Sequence, residues 1–86
     1  MNVVIDADTT HTSGRYLTLQ CGKTSMFIGV TATHITTTVQ NASNLTWRRM
    51  GKTFHGADRF EQAIAHYRSA EARAMVTCAR DLTRTT

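Results

Sequence analysis

Apolar and polar residues alternate along the first half of the chain. Leu17, Leu19 and Cys21 fall on one side of an extended segment and Tyr16, Thr18 and Gln20 on the other, the period-two signature of a half-buried strand. Gly22-Lys23-Thr24-Ser25 reads as a four-residue turn, after which Met26, Ile28, Val30 and Ala32 resume the alternation against Phe27, Gly29 and Thr31. The phase then slips. Ile35, Thr37 and Val39 are odd-numbered. A one-residue slip turns every side chain to the opposite face, so the chain must turn or bulge near Thr33-His34, or both faces must be partly covered. Asn41-Ala42-Ser43-Asn44 reads as a second turn and Leu45 to Met50 as the next strand. Val3, Val4 and Ile5 suit a short edge strand, with Asp8 to Gly14 as a polar loop.

After Gly56 the period becomes helical. Asp58 and Glu61 form a D-x-x-E capping-box pattern, and Phe60, Ala63, Ile64 and Tyr67 make an i, i+3, i+4, i+7 stripe. Ser69 suits the cap of a second helix, with Glu71 in its first turn and Ala72, Met75, Val76, Ala79 and Leu82 as its stripe. The segment reads as one bent helix or a helical pair, the pair being preferred. The pattern therefore predicts a single α+β domain over residues 1–86. Residues 1–14 would be flexible or a short edge strand. Three to four antiparallel strands would fill roughly 16–50, within a sheet region 15–50. The helical part, over roughly 58–82, would pack on one face. Leu17, Leu19, Ile28, Val30, Phe60, Ile64 and Tyr67 are the expected core.

Composition sharpens this picture only in part. Eighty-six residues allow one small domain, which buries about 60% of the surface its unfolded chain exposes. Hydrophobic residues at 41% and charged residues at 19% suit a folded domain rather than a disordered chain. Threonine occurs sixteen times and proline not at all, so the strands should carry a hydroxyl-rich solvent face. No run of eighteen apolar residues is present, and Met1 to Asp8 lacks the basic start of a signal peptide. The expectation is a soluble cytoplasmic protein.

The net charge of +4 comes from ten Lys and Arg against six Asp and Glu, and the missing acids are localised. From Thr9 to Ala57 there is no acid, while Arg15, Lys23, Arg48, Arg49 and Lys52 all lie in that stretch. These five are the candidate partner-binding residues.

Catalytic and metal chemistry finds little support. Gly22-Lys23-Thr24-Ser25 and Gly51-Lys52-Thr53 resemble the end of a phosphate-binding loop, but Leu17 and Thr46 stand where the upstream glycine is needed and no helical pattern follows at once. Both read as turns. No two of His11, His34, His55, His66, Cys21 and Cys78 lie closer than ten residues, against the paired spacing that structural zinc uses. No metal or cofactor is expected, and the cysteines read as small hydrophobes rather than a disulfide. There is no G-x-S-x-G elbow and no carboxylate pair at a catalytic spacing, and Asp6 and Asp8 read as solvated. The expectation is a protein without enzymatic activity.

The most informative string is Leu45 to Phe54, which holds the only tryptophan, Trp47, with Arg48, Arg49 and Lys52 and no acid. On a strand, Trp47 and Arg49 would share the face packed on the helices, leaving Arg48 to the partner. With Phe54 and Phe60 to Ala65, residues 45–67 resemble the sheet-plus-helix DNA-binding domains of plant ethylene-response factors and phage integrase arms. The aromatic and glycine signature of those families is missing around the earlier strands. That resemblance implies a basic sheet placed in a DNA major groove. In size and in lacking a catalytic motif, the chain also looks like the short proteins of phages and mobile elements, including anti-CRISPR proteins. The leading expectation is a non-enzymatic module that binds a protein partner through a basic sheet surface, as an inhibitor of a host nucleoprotein machine. Nucleic-acid binding through a basic three-stranded sheet is the alternative. A homodimer is compatible with the uncovered sheet edge and thin core.

Overall fold

The structure, a computed structural model, describes residues 2–41 and 50–84. Five strands run in chain order, β1 (Val4–His11), β2 (Gly14–Cys21), β3 (Thr24–Val30), β4 (His34–Asn41) and β5 (Met50–His55), followed by helices α1 (Arg59–His66) and α2 (Ala70–Arg84). The strands form one antiparallel meander in the order β1-β2-β3-β4-β5. The α+β class and the order of sheet then helices match the sequence pattern.

Register explains the core. Leu17 lies opposite Ile28, Leu19 opposite Met26, and Ile35 opposite both Val30 and Phe54, so the apolar sets of β2 to β5 share one face. The phase slip between β3 and β4 is absorbed by a turn, where Thr31 N–H donates to the His34 carbonyl at 2.9 Å. Gly22 carries φ +62° at the first of the two β2–β3 loop positions, as a type II′ hairpin requires. The turn is thus two residues, Gly22-Lys23, and Thr24 and Ser25 already belong to β3.

Helix α2 crosses β2 and β3, while α1 crosses β4 and β5. Phe60 and Ala63 of α1 and Ala72, Met75, Val76 and Ala79 of α2 are buried against the sheet, with Ile64, Tyr67 and Leu82 at the margin. Of the expected core, Leu17, Leu19, Ile28, Val30 and Phe60 are buried and Ile64 and Tyr67 partly so. Two helices form rather than one. Tyr67 leaves the helix in extended backbone, and the Ser69 hydroxyl accepts from the Ala72 N–H at 3.1 Å to start α2.

Three further details differ from the sequence pattern. The sheet has five strands, not three to four, because β1 runs through the segment expected to be loop. All eight residues of β1 are exposed. Its pairing is carried by backbone hydrogen bonds, with a bulge between Ile5 and Ala7, and no burial imprints an alternation. The last described strand is Met50–His55, which places Gly51-Lys52-Thr53 in a ladder with β4 instead of a turn. The strand expected over Leu45 to Arg49 and the turn expected over Ala42 to Asn44 lie outside the described residues. Finally, Asp58 precedes α1 but makes no side-chain cap hydrogen bond. Its carboxylate accepts from the Gln62 amide at 2.7 Å, and Glu61 pairs with Arg84 at 3.3 Å, so the expected capping box is not formed.

Candidate interaction surface

Among the described residues, the helices cover one face of the sheet and leave the other open. The pleat assigns the open face directly. Tyr16, Thr18 and Gln20 of β2, Ser25, Phe27 and Gly29 of β3, Thr36, Thr38 and Gln40 of β4, and Thr53 and His55 of β5 alternate with the core residues. Val4, Ala7, Thr9 and His11 extend the face across β1. Leaving aside Asp6 in the bulge, the described strand residues of this face include no Lys, Arg, Asp or Glu. Hydroxyls and amides dominate it, with Thr36 and Thr53 Oγ1 atoms 3.4 Å apart across the strands.

Two aromatic rings stand in this polar field. Tyr16 lies opposite Gly29, and its ring covers the glycine so closely that a Cβ there would meet the ring atoms at 3.2 Å. Phe27 stacks beside Tyr16 with ring centroids 6.3 Å apart and 21° between planes, yet stays 44% exposed. His11 flanks Tyr16 on the other side at 5.7 Å. Next to Phe27 an open groove of about 540 Å³ is lined by Thr18, Ser25, Thr38, Gln40 and Gly51. Such a hollow, apolar at Phe27 and rimmed by hydroxyls and amides, suits a packed side chain with hydrogen bonds around it.

The described candidate partner-binding cations, Arg15, Lys23 and Lys52, do not gather on one surface. Arg15 faces the helix side, where Nε and Nη2 donate to the two carboxylate oxygens of Asp8 at 2.9 and 2.7 Å. Its Nη1 donates to the Leu82 carbonyl at 3.1 Å, so one guanidinium joins β1, β2 and the end of α2. The hydrogen bonds between Arg15 and Asp8 hold the Asp8 carboxyl below the ordinary carboxylate range and raise Arg15 further. Lys23 is exposed on the β2–β3 turn, at the opposite end of β2. Lys52 lies opposite Thr37 on the helix-side face, with its ammonium 5.8 Å from the centre of the Phe54 ring. Trp47, Arg48 and Arg49 lie outside the described residues.

A second polar cluster sits where the β3–β4 turn meets the start of α1. The Thr31 hydroxyl contacts His34 Nδ1 at 3.0 Å, and the His34 and His55 rings lie 5.4 Å apart. Arg59 donates to the carbonyls of Thr31 and Gly56, both at 3.2 Å. The Thr31 hydroxyl also accepts from the N–H groups of Thr33 and His34 and donates to the His34 carbonyl, which commits it to the turn. The cluster fastens the turn to the helix. Both cysteines are free thiols, and burial, with Asp81 nearby, pushes the Cys78 thiol up. Among the described residues there is no group of three metal-ligating side chains, and no helix is long and apolar enough to cross a membrane.

Comparison with protein-family models, with curated proteins and with solved structures finds no match to this chain. The residues that mark the open face were missed as site residues in the sequence because charge was the signal followed. Their own signal was present: Phe27 breaks the polar half of the β3 alternation and sits beside Tyr16 one strand away.

Proposed function

We propose that this chain is a non-enzymatic interaction module that binds a protein surface through the open face of its sheet. The observation that carries the reading is the exposed Phe27 ring stacked on the half-buried Tyr16, in a face without formally charged side chains among the described strand residues outside the bulge. Depletion of charge with enrichment of aromatics is the compositional mark of interface centres. Within the chain the phenyl ring gains only its stack on Tyr16, and its exposed part is left as apolar surface for a partner to cover. Arg15 spends its donors inside the fold, and Lys23 and Lys52 stand on different parts of it, so the described cations support no continuous phosphate-binding track.

The test compares the wild-type chain with Phe27→Lys as bait. Loss of a specific, saturable protein partner in the variant, with an unchanged far-ultraviolet circular dichroism spectrum, supports the open face. Equal capture by both overturns it. Binding of the wild type to random duplex DNA with a steep salt dependence would favour the nucleic-acid alternative instead.

A further inference from the structure

The open face leaves its occupant to be identified, and we infer that this occupant is a second copy of the chain, packed face to face about a two-fold axis near Phe27. The inference rests on the reading of the open face as an interface. Its first support is charge. A surface that meets its own copy brings each charged group against a like charge near the axis, and this face presents none among its described strand residues outside the bulge. For a chain of net charge +4, an interface that adds no like-charge contact avoids that repulsion.

Shape is the second support. The knob and the hollow lie side by side, Phe27 bordering the groove lined by Thr18, Thr38 and Gly51. An isologous contact needs that arrangement, since each copy must supply both the projecting ring and the space that receives it. Two identical sheets also share the same twist, and such sheets pack aligned at about 30° with their side chains interdigitated.

Area is the third. Five strands about 4.8 Å apart and six to eight residues long present a face of about 24 by 24 Å, about 600 Å² in projection. Two such faces remove about 1,200 Å², the lower end of the range for stable, specific interfaces. The β1 edge, by contrast, is guarded. The outer strand β1 is bulged between Ile5 and Ala7 and carries Asp6 and Asp8, devices that oppose strand-to-strand pairing of two copies.

Multi-angle light scattering on the full chain across a concentration series from about 1 to 300 µM, with circular dichroism as the folding check, tests this. The wild type should have the mass of a dimer at the upper concentrations, and Phe27→Lys should be monomeric throughout. Thr38→Arg, which places a charge at the groove in a position that already tolerates a polar side chain, should weaken the dimer at least tenfold and serves if Phe27→Lys does not fold. A wild type that stays monomeric across the series overturns the inference. So does a dimer that survives both substitutions, which would place the contact at an edge. The broader reading fails separately: a monomeric wild type whose protein partner is lost in Phe27→Lys overturns the second copy and keeps the open face, while a monomeric wild type whose partners Phe27→Lys still captures overturns both.

Discussion

The ring of Tyr16 lies across Gly29 on the neighbouring strand, filling on the open face the space that a side chain at Gly29 would occupy. Glycine weakens a strand because it gives nothing to pack and costs more backbone entropy to order. The tyrosine supplies that cover from the adjacent strand, and its hydroxyl is held by the Ser13 side chain at 3.0 Å. The same ring then stacks on Phe27, so the two aromatics form one unit.

That unit has a measurable coupling. Tyr16→Ala should lower stability by about 1–2 kcal/mol, through the lost stack and the uncovered glycine. In a double-mutant cycle with Phe27→Ala, the interaction energy should be about 0.5–1.5 kcal/mol. Additive losses in chemical denaturation would show that the rings are neighbours without being partners.

The two helix starts should respond differently to the same kind of substitution. Ser69→Ala removes the hydroxyl that accepts from Ala72 N–H and should cost about 1 kcal/mol. Asp58→Ala removes no cap hydrogen bond and loses only an exposed contact with Gln62, so its cost should stay within about 0.5 kcal/mol. Thermal denaturation of the two variants side by side checks the order. A larger loss for Asp58→Ala would restore the cap that the sequence suggests.

Where burial is one-sided, the sequence can be read, and β2, β3 and the two helices are examples. Leu17, Leu19, Met26 and Ile28 alternate because the helices cover one face only, and Ala72, Met75, Val76 and Ala79 recur because α2 buries one stripe. Strand β1 is illegible for the same reason in reverse. With both faces in solvent, Val4 and Ile5 are 55% and 43% exposed, and nothing separates an inner from an outer set. Strand β5 is obscured by Gly51-Lys52-Thr53, a string with turn chemistry that nonetheless continues the ladder opposite Thr36, Thr37 and Thr38. The candidate surface escaped because it is marked by missing charge rather than by a motif. Arg15 shows the converse: a cation in an acid-free stretch of sequence finds Asp8 across the hairpin.

Thr37 is a fully buried polar residue whose hydroxyl donates to the Lys52 carbonyl at 3.1 Å and is bonded by the Tyr67 hydroxyl. Since the threonine donates to the carbonyl, the tyrosine donates to the threonine, and this relay ties β4 and β5 to the end of α1. Tyr67→Phe keeps the ring against Phe54 and removes only the donor. The expected loss is about 1 kcal/mol in chemical denaturation. An unchanged midpoint would mean that the ring, not the hydroxyl, holds the end of α1 in place.

The Asp8–Arg15 pair gives stability a specific acid dependence. The guanidinium's hydrogen bonds favour the ionised carboxyl, so the pKa of Asp8 is lower in the folded chain than in the unfolded one. A group of this kind contributes stability that is fully present above its unfolded value, about 3.9 for an aspartate, and is lost as pH falls through the lower folded value. The contribution should therefore be constant at neutral pH and fade below about pH 4. Asp8→Asn should melt at a lower temperature than the wild type at pH 7, and the gap should narrow as pH drops from 5 to 2. Since Arg15 also holds the Leu82 carbonyl, Arg15→Ala should lose more than Asp8→Asn at every pH and keep part of its deficit at pH 2. Melting curves for the three proteins over that range check both statements. Equal deficits for the two variants at pH 2 would mean that the link from Arg15 to the end of α2 adds nothing.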